Sequence, residues 1–269
     1  MGMRENSPAL WLEYWPKTSQ NSHKYDRGVA VILGAPKMTG ATRLAAAACA
    51  RMGAGLVKVV APAGTQDIYR ATLPAHIIVI EQDEAALILE DVRVTAVLAG
   101  SGCPESQDLA DLCRLACEKP HIKAIVADAG AIGAAVSAQF ACKNKLVLTP
   151  HEGEFKKAFP DFSGIDKMDA AKRAAESFGG VVVLKGAQTV IAGQGVAIRQ
   201  SMDVPALSTA GTGDVLAGMI TGLMAQGMNT PMACAAAAWI HATAGARFGR
   251  GLVAEDLPGL IPDILKDIF

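Results

Sequence analysis

Short apolar, β-branched runs alternate along most of this chain with Ala-rich stretches long enough to be helices. That rhythm restricts the fold more than any other feature, because it is the pattern of βα units feeding a largely parallel sheet. Strands are predicted at 29–33, 56–61, 77–80, 96–99, 124–127, 146–149, 181–185 and 189–192. Most of these runs are continuously apolar, as expected of strands buried on both faces. Helices are predicted at 42–51, 107–118, 153–159, 168–178, 214–226 and 230–248, enough to cover the sheet on both sides. Only Gly186, Ala187 and Gln188 separate the two strands around 181–192, which predicts an antiparallel hairpin at one edge. There is no fixed-period repeat and no low-complexity linker, so a single domain over residues 21–269 is predicted. Residues 1–20 read as an N-terminal arm, loosely attached.

Composition excludes several classes of function. Half of the 269 residues are hydrophobic and 19% are charged, which is the make-up of a globular chain. Lys and Arg total 25 against 26 Asp and Glu, so there is no basic footprint for nucleic acid. The longest apolar stretches, 179–184 and 232–240, fall short of a bilayer span. The N-terminus lacks an apolar core followed by a small-residue cleavage site, so no export signal is read there. The six cysteines match no zinc spacing and read as buried thiols, which suggests a reducing cytoplasm.

The strongest chemical signal is Ser208-Thr209-Ala210-Gly211-Thr212-Gly213-Asp214, where a Gly-rich turn runs directly into an apolar helix. Such a turn exposes several backbone N–H groups at a helix N-terminus and suits a phosphate. Asp214, in the first turn, is placed to take a proton from a hydroxyl beside a transferring phosphoryl group. The plainer reading makes Asp214 a cap and the glycines a tight turn. A second turn, Leu33-Gly34-Ala35-Pro36-Lys37-Met38-Thr39-Gly40-Ala41, follows a predicted strand but is neither a Walker loop nor a G-x-G-x-x-G fingerprint. Thr149-Pro150-His151-Glu152-Gly153-Glu154 also follows a strand. It could hold a polar ligand or hydrated Mg²⁺, or be a helix start in which His151 caps and the two carboxylates meet the positive end. Gly100-Ser101-Gly102 and Lys185 to Thr189 are further turns able to approach a nucleotide, or ordinary turn chemistry.

Together and in this order, these segments resemble the ADP-dependent NAD(P)H-hydrate dehydratases, a ribokinase-like family that repairs hydrated nicotinamide cofactors. The resemblance is carried by Lys37-Met38-Thr39-Gly40-Ala41, Gly53-Ala54-Gly55-Leu56-Val57, Thr149-Pro150-His151 with Gly153-Glu154, Val183 to Ala187, Gly211 to Gly218, and Arg250-Gly251 before Ala254. It implies a three-layer α/β/α sandwich with a mostly parallel central sheet. It also implies that Ala41, Gly102, His151 and Asp214 contact the hydrated cofactor (NADHX or NADPHX), with Asp214 as catalytic base. Lys185, Gly186, Ala187, Gln188 and Thr189, with Gly211, Thr212 and Gly213, would hold the adenine nucleotide, ADP or ATP with Mg²⁺; no second bound metal is implied. A homo-oligomer, a tetramer by family habit, is implied as well.

The chain departs from that family in places. The family's Asp-Ala-Asp-Ala-Leu-Asn appears as Asp128-Ala129-Gly130-Ala131-Ile132-Gly133, losing a carboxylate and an amide. Its Gly-Pro-Gly turn appears as Gly100-Ser101-Gly102, Glu152 replaces a proline, and Ala210 replaces a glycine. Two other readings therefore stand beside the repair enzyme: a ribokinase-like kinase for a sugar, vitamin or pyrimidine alcohol, and a nucleotide-binding protein without turnover. Asp214 argues against the second, since binding alone needs no carboxylate beside a phosphate.

Overall fold

The structure is a computed structural model and describes every residue except 1, 18, 20, 138–141, 143 and 163. Its strands are β1 (Arg4–Glu5), β2 (Val29–Leu33), β3 (Leu56–Ala61), β4 (Ile77–Glu81), β5 (Val94–Ala99), β6 (Ala124–Ala127), β7 (Leu146–Leu148), β8 (Val181–Leu184), β9 (Thr189–Gly193) and β10 (Val196–Gln200). They form one sheet in the order β1-β10-β9-β8-β7-β6-β5-β2-β3-β4. From β8 to β4 every pairing is parallel, and β9 is antiparallel to both β8 and β10. The hairpin expected at 181–192 is present, and β10, which the sequence reading did not mark, extends it outward.

The helices are α1 (Thr39–Arg51), α2 (Gln66–Thr72), α3 (Ala85–Glu90), α4 (Gln107–Glu118), α5 (Gly130–Ser137), α6 (Glu152–Ala158), α7 (Lys167–Phe178), α8 (Thr212–Ala225), α9 (Thr230–Phe248) and α10 (Leu257–Ile268). They cover the sheet in two layers. Strand β2 shows why its run is uninterrupted: Ala30 and Ile32 face a core built with α1, α8, α9 and α10, while Val29, Val31 and Leu33 face one built with α4, α5 and α7. Burial on two faces leaves no position for a polar residue.

Two features of this packing position the site. The sheet order reverses at β5 and β2, so the loops after these strands part and leave a crevice at the carboxyl ends, where open α/β sheets bind ligands. The second is the contact of α8 with α1. A Cβ on Gly218 would lie 2.1 Å from the Ala45 carbonyl oxygen, and one on Gly222 2.4 Å from that of Cys49. Glycine inside a helix costs about 1 kcal/mol relative to alanine. Here its absence of a side chain lets two backbones touch, which draws the N-termini of α1 and α8 to the same crevice.

Two expectations need correction. Residues 4–11 are not a loose arm, because β1 pairs with β10 and the Asn6 amide donates to Gln200 Oε1 and to the Ala235 carbonyl, both at 2.8 Å. Trp11 is fully buried, with its ring 6.0 Å from that of Trp239. Nor are all six cysteines free. Cys117 and Cys142 are joined, their Cα atoms 5.0 Å apart, because the fold brings the end of α4 beside the segment entering β7. The other four are buried free thiols. Among the described residues no helix is long and apolar enough to cross a membrane.

Candidate active site

Strands β6, β7 and β8 end side by side, and each delivers one polar group to the same point. Asp128, directly after β6, is nearly fully buried. Its Oδ1 accepts a hydrogen bond from Thr149 Oγ1 at 2.7 Å and one from Lys185 Nζ at 2.9 Å. The Lys185 backbone N–H donates to the Pro150 carbonyl at 2.8 Å, tying the end of β8 to the turn after β7. Residue 129, an alanine, takes φ +42°, in the left-handed region that favours glycine. Such strain is held only where surrounding contacts enforce it. Here it lies where the chain turns away from the carboxylate that meets Lys185.

Burial works to lower the Lys185 pKa, but the charge of Asp128 and its hydrogen bond, with Glu154 and Asp214 beyond, outweigh it. The lysine stays an ammonium. Its Nζ lies 3.1 Å from where a Cβ on Gly213 would stand, against the first turn of α8.

Asp214 occupies that first turn. Burial, then the negative charge of Asp128, push its pKa up to about 6, against the opposing pull of the Ser101 hydroxyl and the Lys185 charge. A carboxyl tuned in this way can take a proton near neutral pH and still be ionised there. Thr212 anchors the turn before it, its hydroxyl donating to the carbonyls of Leu207 at 2.8 Å and Thr209 at 3.1 Å. From α9 the His241 Nε2–H donates to the Thr212 carbonyl at 2.9 Å. Burial drives the imidazole pKa down to about 4, so it is neutral.

A cavity of about 220 Å³ opens between these elements, lined among others by Lys185, Gly186, Ala187, Thr189, Thr212, Gly213 and His241. Six of the eight residues that the sequence reading assigned to a nucleotide therefore share one wall. Gln188 is exposed and does not line it. Gly211 stands outside as the N-cap of α8, with φ +91°. Ala41 and Gly102, which the resemblance assigns to the hydrated cofactor, touch: a Cβ on Gly102, whose φ is +73°, would lie 2.8 Å from that of Ala41. His151 behaves as the plainer reading supposed. Its Nδ1 accepts the N–H groups of Gly153 and Glu154 at 2.9 and 3.2 Å, and its Nε2 lies 3.4 Å from Glu154 Oε1.

Sequence reasoning missed the roles of Asp128, Ser101 and His241. Asp128 was visible only as part of an altered motif, because its partner Lys185 is 57 residues away. The lone His241 in an Ala-rich helix carried no signal of its own.

A model of the family described as NAD(P)H-hydrate dehydratase matches residues 29–266. The bifunctional NAD(P)H-hydrate repair enzyme of Salinibacter ruber is 34% identical over 294 residues, covering 99% of this chain and 53% of that protein. The chain thus spans about half the length of such bifunctional relatives. The ADP-dependent (S)-NAD(P)H-hydrate dehydratase of Xanthomonas campestris is 29% identical, covering 96% of this chain and 94% of that protein. Among solved structures, the ADP/ATP-dependent NAD(P)H-hydrate dehydratase from Bacillus subtilis, co-crystallised with ATP and Mg²⁺, superposes with a TM-score of 0.85 at 25% identity over the whole of both chains. A ribokinase-like superfamily protein from Enterococcus faecalis gives a TM-score of 0.89 at 24% identity, covering all of this chain and 97% of that one, a likeness of fold.

Proposed function

The chain belongs to the NAD(P)H-hydrate dehydratase family, and from that premise we propose that it restores NADH and NADPH from their hydrates at the expense of ADP or ATP. The observation that carries this reading is Asp214: a carboxyl with pKa about 6 in the first turn of α8, beside a cavity whose wall holds an ammonium and the N-terminus of that helix.

The adenine nucleotide lies in the cavity between Lys185–Thr189 and Thr212–Gly213, its terminal phosphate at the start of α8. The backbone N–H groups there, the helix dipole and Lys185 oppose the charge of the transferring phosphoryl group. The hydrated ring lies toward Ala41 and Gly102. Asp214 takes the proton from the ring hydroxyl, and that oxygen forms a bond to the terminal phosphorus as the bond from phosphorus to the leaving nucleotide breaks. Phosphorylation makes a poor leaving group a good one. The ring nitrogen lone pair then expels phosphate, and loss of the neighbouring ring proton restores the double bond. The products are NAD(P)H, inorganic phosphate, a proton, and AMP from ADP or ADP from ATP.

The reaction is that of a lyase, and we place it in the cytoplasm, where the cofactor pool and adenine nucleotides meet. Mg²⁺ would enter on the nucleotide phosphates and offset their charge. Among the described residues no group of three ligating side chains could hold a metal alone. Bound with the nucleotide, the ion would take its ligands mainly from phosphate and water, with Glu152, whose Oε1 lies 3.7 Å from where a Cβ on Gly186 would stand, as a carboxylate beside the cavity wall.

Phosphorus NMR of a reaction with hydrated NADH and ADP separates this reading from a kinase. Equal growth of inorganic phosphate and AMP is expected, with no lasting phosphate ester. A stable phosphorylated acceptor would favour the kinase instead.

A further inference from the structure

Among the described residues, Ser101 is a fully buried polar residue at the crevice whose burial the contacts around it leave unexplained. Its side chain is fully buried, and its hydroxyl meets no hydrogen-bond partner among the described residues. A hydroxyl in that position loses its hydration with nothing in return. The turn carrying it is held on every side. The Thr42 hydroxyl donates to the Ser101 carbonyl at 3.3 Å, the Cys103 N–H donates to the Gly100 carbonyl at 2.8 Å, and a Cβ on Gly100 would lie 1.8 Å from the Asp128 carbonyl oxygen. So the hydroxyl cannot leave the crevice for solvent without rebuilding the end of β5. The group it faces is Asp214, whose ionised form it favours.

We propose that Ser101 is a positioning residue for Asp214: its hydroxyl donates to one oxygen of the ionised carboxylate and so leaves the other oxygen turned to the acceptor hydroxyl. This rests on the functional reading above for its consequence in catalysis, but not for the contact itself. The side chain has the chemistry for the task, since a serine hydroxyl can donate one hydrogen bond and carries no charge to oppose Lys185. The charged groups acting on Asp214 are Asp128 from the end of β6 and Lys185 from the end of β8, with the buried Cys103 thiol nearby in the loop before α4. Asp128 and Lys185 pair with each other, and Ser101 is the neutral side chain that, beside a backbone N–H, favours the ionised form of Asp214.

The test reads Asp214 directly and does not depend on turnover. Protein labelled with carbon-13 at the aspartate carboxyls is titrated by NMR, with Asp214 assigned by the resonance that disappears in Asp214→Asn. In the unaltered protein Asp214 is expected to titrate at about 6. In Ser101→Ala the midpoint should rise by about one pH unit, the size expected on losing one hydrogen bond to a charged group. Ser101→Cys, with its weaker donor, should fall between the two, and it carries the test by itself if the alanine variant does not fold. The acid limb of the pH–rate profile with hydrated NADH should move with the NMR midpoint. An Asp214 midpoint that stays in place in the variants, or moves down, overturns the proposal. A midpoint that rises in a protein inactive on either hydrate leaves the contact standing and rejects the functional reading instead.

Discussion

The Lys185 ammonium and the Asp128 carboxylate, 2.9 Å apart, join the ends of β8 and β6 at the floor of the crevice. Asp128 is almost wholly buried and Lys185 largely so. Removing one member of such a pair leaves the other charge without compensation. Lys185→Ala should therefore cost about 3 kcal/mol of stability, measured by urea unfolding, and Asp128→Asn in the same chain should recover much of it. A single variant as stable as the parent would show that the pair is solvated.

Lys185 also lines the cavity proposed to take the adenine nucleotide. Adenine nucleotide should raise the melting temperature by an amount that grows with ligand concentration, since it binds only the folded state. In the Asp128→Asn, Lys185→Ala chain, where the loss of stability is largely repaired, that gain should still shrink. If ADP, ATP and AMP all leave the melting curve of the unaltered protein in place, the cavity is not a nucleotide site.

Asp214 imposes a pH dependence whose sign follows from its raised pKa. Between about pH 4 and pH 6 the folded protein holds the Asp214 proton that the unfolded chain has released, so this group makes stability fall as pH rises through that window. Above it, the buried negative charge is a standing cost. Asp214→Asn should accordingly raise the melting temperature at pH 7 to 8, with a benefit that fades toward about pH 4. His241 acts in the opposite sense. Its pKa is lowered to about 4, so the unfolded chain takes up a proton below about 6.5 that the folded protein refuses, and its contribution is lost as pH falls toward about 4. In Asp214→Asn the His241 slope is no longer offset, and stability should fall more steeply on acidification than in the parent. Parallel stability–pH curves would count against the raised pKa of Asp214.

The contact of α1 with α8 gives a mechanical test. Gly218→Ala would place a methyl group 2.1 Å from the Ala45 carbonyl oxygen, where backbone rather than a flexible side chain must yield. Overpacking of this kind costs about 1–3 kcal/mol. Because it also moves the α8 N-terminus, the turnover rate should fall by more than the folded fraction does. A variant with unchanged urea midpoint and unchanged rate would show that the approach of α1 and α8 does not set the position of Asp214.

Much of the sheet was legible because strands buried on both faces admit only apolar residues, and the eight predicted runs coincide with β2 to β9 to within a residue or two. What escaped was held by partners far away in sequence. Arg4–Glu5 is a strand only because β10 lies beside it, and Val196–Gln200, which ends in Arg199 and Gln200, is too mixed to announce itself. The segment starting at Gly130 carries two glycines, which weakened any helical signal, yet it forms α5. At the site, Gly-rich turns and the residues following strands were readable, since they need particular residue types at particular spacings. Asp128, Ser101 and His241 gain their roles from burial and from facing groups, and a linear pattern records neither.

Absorbance of NADH, which its hydrate lacks, tests the central claim most directly. Hydrated NADH or NADPH is mixed with protein already shown to bind ADP, and the near-ultraviolet band of the reduced cofactor is followed after adding ADP or ATP. The band should grow only when nucleotide is present. With Asp214→Asn, growth should be almost abolished while nucleotide affinity stays within a few-fold, because the base is gone but the shape of the turn is kept. No growth with either hydrate and either nucleotide, or near-parental growth in Asp214→Asn, would contradict the account.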